Sequence, residues 1–120
     1  MTRQWKSKTL GVSEPHEQQL LEIKEHLQFG QEDDTYKFCL SYALTNELTR
    51  NTERGIKRET KWAMGNFDAD GDLLVLINAM FPEEEDVQSV LMTLAEAGIE
   101  AIHKKVTEEY LYTIGEVLNN

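Results

Sequence analysis

Cysteine is nearly absent: Cys39 is the single one in 120 residues, so no internal disulfide can form. A lone thiol fits a reducing compartment, and a cytoplasmic location is expected. Long hydrophobic runs are missing as well. The longest, Leu73 to Ile77, is far short of the roughly 20 residues that cross a bilayer, so no membrane partner is expected. The first residues, Met-Thr-Arg-Gln-Trp-Lys-Ser-Lys, carry bases with no apolar stretch behind them, which is not the pattern of a secretory leader. Bases are scarce: 12 Lys and Arg stand against 22 Asp and Glu, a net charge of −10. That balance argues against unspecific binding to a polyanion. There is no Gly-rich phosphate loop and no Gly-x-Ser-x-Gly, and enzymatic function has the least support among the readings.

What is present is an ordinary globular composition, 40% hydrophobic and 28% charged. A chain this long buries roughly two-thirds of its unfolded surface and can build one core without staples. The charge is uneven. Arg50, Arg54, Lys57, Arg58 and Lys61 fall within twelve residues against Glu53 and Glu59, a local charge of +3 that leaves −13 on the rest. From Asn66 to Asp86 there are seven acids and no base. Such a basic stretch on an acidic body is either a contact for a phosphate backbone or an acidic partner, or a solvated connector between helices.

The apolar spacing predicts an all-α fold, a bundle of about five helices with an optional short N-terminal strand. Residues 1–12 form an arm or strand, and residues 13–120 a single helical domain with a basic connector over 50–66. Ser13 is placed to cap the first helix, with Pro15 in its first turn and Leu20, Leu21, Lys24 and Leu27 at helical spacing. Phe29-Gly30 should end it, Gly30 taking the left-handed conformation. A second helix is expected from Asp33 or Asp34, with a buried stripe through Tyr36, Cys39, Leu40, Ala43, Leu44 and Leu48. The connector carries no strand-like alternation, and Trp62, Met64 and Phe67 should pin its far end to the core. Leu73 to Phe81 is apolar nearly all round, which predicts a central helix stopped by Pro82. Glu83 to Asp86 crowd the start of a fourth helix, where the dipole favours them, and His103, Lys104 and Lys105 its end. Thr107 should cap a short last helix.

Three constellations resemble chemistry. Asp68-Ala-Asp70-Gly-Asp72 imitates the first half of a calcium loop, but Leu73 stands where that loop needs glycine and Ala79 where it needs a bidentate glutamate. A helix cap, by Asp70 or Asp72, is the expected role. His16, His26 and His103 are isolated, with no partner at metal-ligand spacing, so no metal and no cofactor is expected. Cys39 lies in an apolar stripe and should pack as a buried thiol.

The order of these features carries a resemblance. Leu20-Leu21-Glu22-Ile23-Lys24, Phe38-Cys39-Leu40-Ser41, the block Leu73 to Phe81-Pro82 and the Ala97-Gly98-Ile99 step are similar to the DndE family of DNA sulfur-modification (phosphorothioation) proteins. The resemblance covers most of residues 13–105 and is one of apolar positions and turns. It implies a small helical, non-catalytic component of a bacterial DNA-modification and anti-phage defence complex. It further implies a homo-oligomer that associates with larger subunits and binds DNA. Here the basic residues lie in the connector, so phosphate contacts are expected from Arg50, Arg54, Lys57, Arg58 and Lys61. The other reading is a ribbon-helix-helix regulator, suggested by an arm with Lys6 and Lys8 followed by two helices, which binds DNA as a dimer through a strand from residues 3–10.

Overall fold

Ser13 opens the first helix as its position predicts. Its hydroxyl accepts the His16 N–H at 3.3 Å, and Pro15 sits in the first turn. The computed structural model describes residues 2–119. In chain order the elements are β1 (Thr9–Val12), α1 (Glu14–Leu27), α2 (Glu32–Thr45), β2 (Glu59–Ala63), α3 (Met64–Phe67), α4 (Asp72–Met80), α5 (Val87–Glu108) and α6 (Ile114–Asn119). The expected helical bundle with a short strand is therefore present, with six helices among the described residues.

α5 is the central element. It spans 22 residues, about 33 Å at 1.5 Å per residue, and packs against α1, α2, α4 and α6. Val87, Val90, Leu91, Leu94, Ala95, Ile99, Ile102 and Val106 are buried along it. α1 contributes Leu20, Ile23 and Leu27, and α2 contributes Tyr36, Cys39, Leu40 and Ala43. The α2–α5 approach depends on Gly98. A Cβ there would stand 2.0 Å from the carbonyl oxygen of Cys39.

Several expectations need correction. The connector holds a strand after all: β2 pairs antiparallel with β1, Thr9 opposite Ala63 and Val12 opposite Glu59. The register skips Lys61, a bulge between Leu10 and Gly11 that re-aims that lysine. β2 escapes detection because its five residues are exposed or half-buried, so no apolar face alternates along it. Helix α1 ends on Gln28, which takes the left-handed conformation (φ 60°) in place of Gly30. Helix α2 starts at Glu32, before Asp33. Helix α5 runs on to Glu108, so Thr107 caps nothing and Thr113 opens α6, accepting the Glu116 N–H at 3.1 Å.

The largest departure concerns α4. It is not central: Ile77 is its one buried residue, and Val75, Leu76 and Met80 are exposed. Its start is held by Asp68, whose carboxylate accepts from the N–H groups of Leu73 and Leu74 at 3.0 and 3.1 Å, and neither Asp70 nor Asp72 does this. The arm is tied to the same helix at Asn78, beside Val75 and Ala79. Arg3 donates its backbone N–H, Nε and a guanidinium NH2 to Asn78, and Asn78 donates back to the Arg3 carbonyl at 2.9 Å.

Candidate functional site

The five cations expected to touch phosphate fall into two groups. Arg50, Arg58 and Lys61 are turned inward. Arg50 donates from Nε to the Thr93 hydroxyl at 2.8 Å and lies 3.1 Å from Glu84. Arg58 grips Glu96 with two nitrogens, at 2.6 and 3.0 Å. Lys61, re-aimed by the bulge, donates to Glu17 at 2.7 Å and forms an ion pair with Glu32, also at 2.7 Å. Arg54 and Lys57 are exposed, and neither makes an ion pair with a described residue.

Glu96 is the centre of the inward group. It sits on α5 with its side chain only 4% exposed. A buried carboxylate is costly unless paired and hydrogen-bonded. Here Arg58 supplies two charge-assisted donors and Asn51 a third, at 3.0 Å. The hydrogen bond to Glu96 is the main reason the Arg58 guanidinium is held above its ordinary pKa. Asn51 also donates its backbone N–H to the Thr93 carbonyl. The first half of the connector is thus laced to one face of α5. Lys61 is pulled down by desolvation and pushed up by the neighbouring Glu17 and Glu32 carboxylates, with a net rise. Sequence reasoning missed Glu96, Thr93 and Asn51. The available signal was an acid set between Ala95 and Ala97 on an otherwise apolar helix.

A second polar chain joins α1 to α5. Ser13 accepts from the backbone N–H of His16, and its hydroxyl lies 2.6 Å from His16 Nδ1. The other ring nitrogen, Nε2, lies 2.8 Å from the Glu100 carboxylate. The order serine, imidazole, carboxylate is that of nucleophilic hydrolases, but the ring is turned round. In those enzymes Nε2 faces the serine and Nδ1 the acid. Ser13 is 3% exposed and its hydroxyl is already engaged in the cap. A cavity of about 410 Å³ lies beside it, lined by His16, Glu53, Lys57 and Glu59 among others. His103 pairs with Glu22 across the same two helices, and it lies inside α5 and not at its end. His26 stacks on Tyr112.

Cys39 is fully buried, and burial pushes its thiol well above the ordinary range, so it stays protonated at neutral pH. The far end of the connector is pinned as the aromatic residues suggested. Trp62 and Tyr36 meet edge to face at 5.2 Å, Trp62 stacks on Phe67 at 5.4 Å, and Met64 is buried. No grouping of three or more His, Cys, Asp or Glu among the described residues could hold a metal ion, and no helix there is long and apolar enough to cross a membrane.

The fold and these contacts define a small helical protein with a two-stranded ribbon, whose basic connector is clamped to its own acidic body. No protein-family model matches the chain significantly, and neither a curated protein nor a solved structure does.

Proposed function

We propose that the chain is a non-catalytic accessory subunit of a bacterial DNA-modification or anti-phage defence complex. It works in the cytoplasm by holding larger subunits, with a DNA-backbone contact through Arg54 and Lys57. One observation carries the DNA part. Three of the five connector cations are neutralised by the protein's own carboxylates, and the two left over project from the anchored segment into solvent. The resemblance of residues 13–105 to the DndE family supports the assignment to such a complex and suggests a homo-oligomer.

Two phosphate contacts imply a shallow salt dependence, a slope of about −2 in a plot of log affinity against log salt. Fluorescence anisotropy with a short labelled duplex, between about 50 and 200 mM salt, should give that slope for the wild type. The Arg54→Ala/Lys57→Ala double variant should lose binding with an unchanged melting temperature. Unaltered binding by the double variant, or none by the wild type at low salt, removes the DNA contact. Failure to co-purify with co-expressed sulfur-modification subunits removes the complex.

The ribbon-helix-helix reading is favoured by the order β1, α1, α2. It needs a strand free to pair with a second copy. Here β1 pairs with β2. Just before and at the start of β1, Gln88 accepts from the Ser7 N–H at 2.7 Å and donates to the Thr9 carbonyl at 2.9 Å. The backbone such a regulator uses for dimerisation is already engaged, which ranks this reading second.

A further inference from the structure

α4 buries too little of itself. At 100° per residue, Asp72, Val75, Leu76, Ala79 and Met80 fall within an arc of about 140°, and all five are exposed. Val75 is 66% exposed, Met80 47% and Leu76 41%. Met80 also lines a groove of about 300 Å³ with Leu44, Leu48, Phe81 and Leu94, so the apolar strip continues from α4 to the C-terminal end of α2. Exposed apolar strips with a polar rim mark interaction surfaces.

The rim is acidic apart from Arg3 at one edge. Asp70 and Asp72 stand at one end of α4, Glu83 and Glu85 beyond the other, and Glu47 beside the groove. All five are exposed and make no ion pair among the described residues. Of the nearby bases, Lys6 pairs with Asp86 and Arg50 with Glu84, while Arg3 bonds the neutral Asn78 and keeps its charge at the Val75 and Ala79 edge of the strip.

We propose that this strip docks a basic amphipathic helix of a partner protein. Its apolar side chains lie against Val75, Leu76, Met80 and the groove, and its Lys and Arg flanks meet the acidic rim. A second copy of this chain fits badly, because a two-fold contact sets the same acids against each other. The size agrees. α4 is nine residues, about 13 Å, long enough to face about two turns of a partner helix. The inference rests on the reading of the chain as a binding subunit. It does not depend on the DNA contact or on which complex is served.

The test is calorimetric titration of the full chain with a synthetic Leu/Lys amphipathic helix, and with a Leu/Glu helix of the same pattern. The Leu/Lys peptide should bind one to one and the Leu/Glu peptide should not. Val75→Ser/Leu76→Ser should weaken the Leu/Lys peptide at least tenfold. Leu21→Ser, at an exposed leucine on α1, should leave it unchanged. Each substitution is at an exposed side chain, and an unchanged melting temperature checks the fold. Absence of Leu/Lys binding, equal affinity in the double variant, or a wild-type dimer in sedimentation that Val75→Ser/Leu76→Ser dissolves would overturn the proposal. The DNA titration with Arg54→Ala/Lys57→Ala reads a different surface, so either result can fail while the other holds.

Discussion

Gly98 sets the distance between the two best-packed helices. With no side chain there, the backbone of α2 at Cys39 lies against α5, and Ala43 closes the same contact 3.4 Å from where a Cβ would stand. Gly98→Ala puts a methyl carbon 2.0 Å from a carbonyl oxygen that cannot rotate away. The helices must part, and overpacking of this kind costs about 3 kcal/mol or more. A fall in melting temperature of roughly 10 °C is expected for a domain of this size. A variant as stable as the wild type would mean that the helices separate freely. The Gly98 contact is not legible in the sequence, because Cys39 lies almost sixty residues away along the chain and only the fold brings its carbonyl there. Ser13 is legible: its role is local, satisfied within one turn. Asp68 lies between these cases. The spacing of Asp68, Asp70 and Asp72 points to a cap and rules against a calcium loop, but the turn between them hands the cap to Asp68.

Among elements, the connector shows most clearly what pattern reading reaches and where it stops. Its basic charge is plain, and so is the pinning by Trp62 and Phe67. Its strand is hidden because β2 is held by pairing with β1, a long-range contact, and not by an alternating apolar face. Its cations look outward-facing in the sequence because their acceptors, Glu96 on α5 and Glu17 and Glu32 at the starts of α1 and α2, are distant along the chain. α4 misleads for a related reason: apolarity all round implies burial only when the fold supplies neighbours on every side. The Arg58–Glu96 pair allows a test of the anchoring. Arg58→Met keeps the stem and removes both donors, leaving a buried carboxylate with Asn51 alone. About 3 kcal/mol should be lost near neutral pH. A stranded buried charge costs more than a buried neutral acid, so the loss should shrink as pH falls. Denaturant titrations of wild type and variant at about pH 7.5 and 4.5 compare the two. An equal difference at both values would show that Glu96 does not depend on Arg58 for its charge.

Over the whole molecule the pKa shifts point one way. Burial raises the Tyr36 phenol above its ordinary 10.0 and the Cys39 thiol above its ordinary 9.0, with the Glu96 charge adding to the rise at Tyr36. Both groups are neutral when protonated, so the folded state holds these protons more tightly than the unfolded chain does. Lys61, raised overall by Glu17 and Glu32, behaves likewise in its charged form. For a pKa that rises on folding, the stability is complete below the unfolded value and drains away as pH climbs through the folded one. The chain should therefore keep its stability up to about pH 9 and lose it beyond, at about 1 kcal/mol per pH unit for each buried group once its unfolded form has ionised. The net charge of −10 adds to this trend, because every further deprotonation increases self-repulsion. Tyr36→Phe removes one of the buried groups and keeps the ring against Trp62 and Phe67. Its stability should match the wild type's trend from about pH 8 to 9 and fall less steeply above about pH 10, where the unfolded phenol would have titrated. Denaturation midpoints across that range provide the comparison. A wild-type curve that stays level to about pH 10.5, or a Tyr36→Phe curve parallel to it, would mean that the phenol titrates alike in both states and that the core around α2 and α5 admits water.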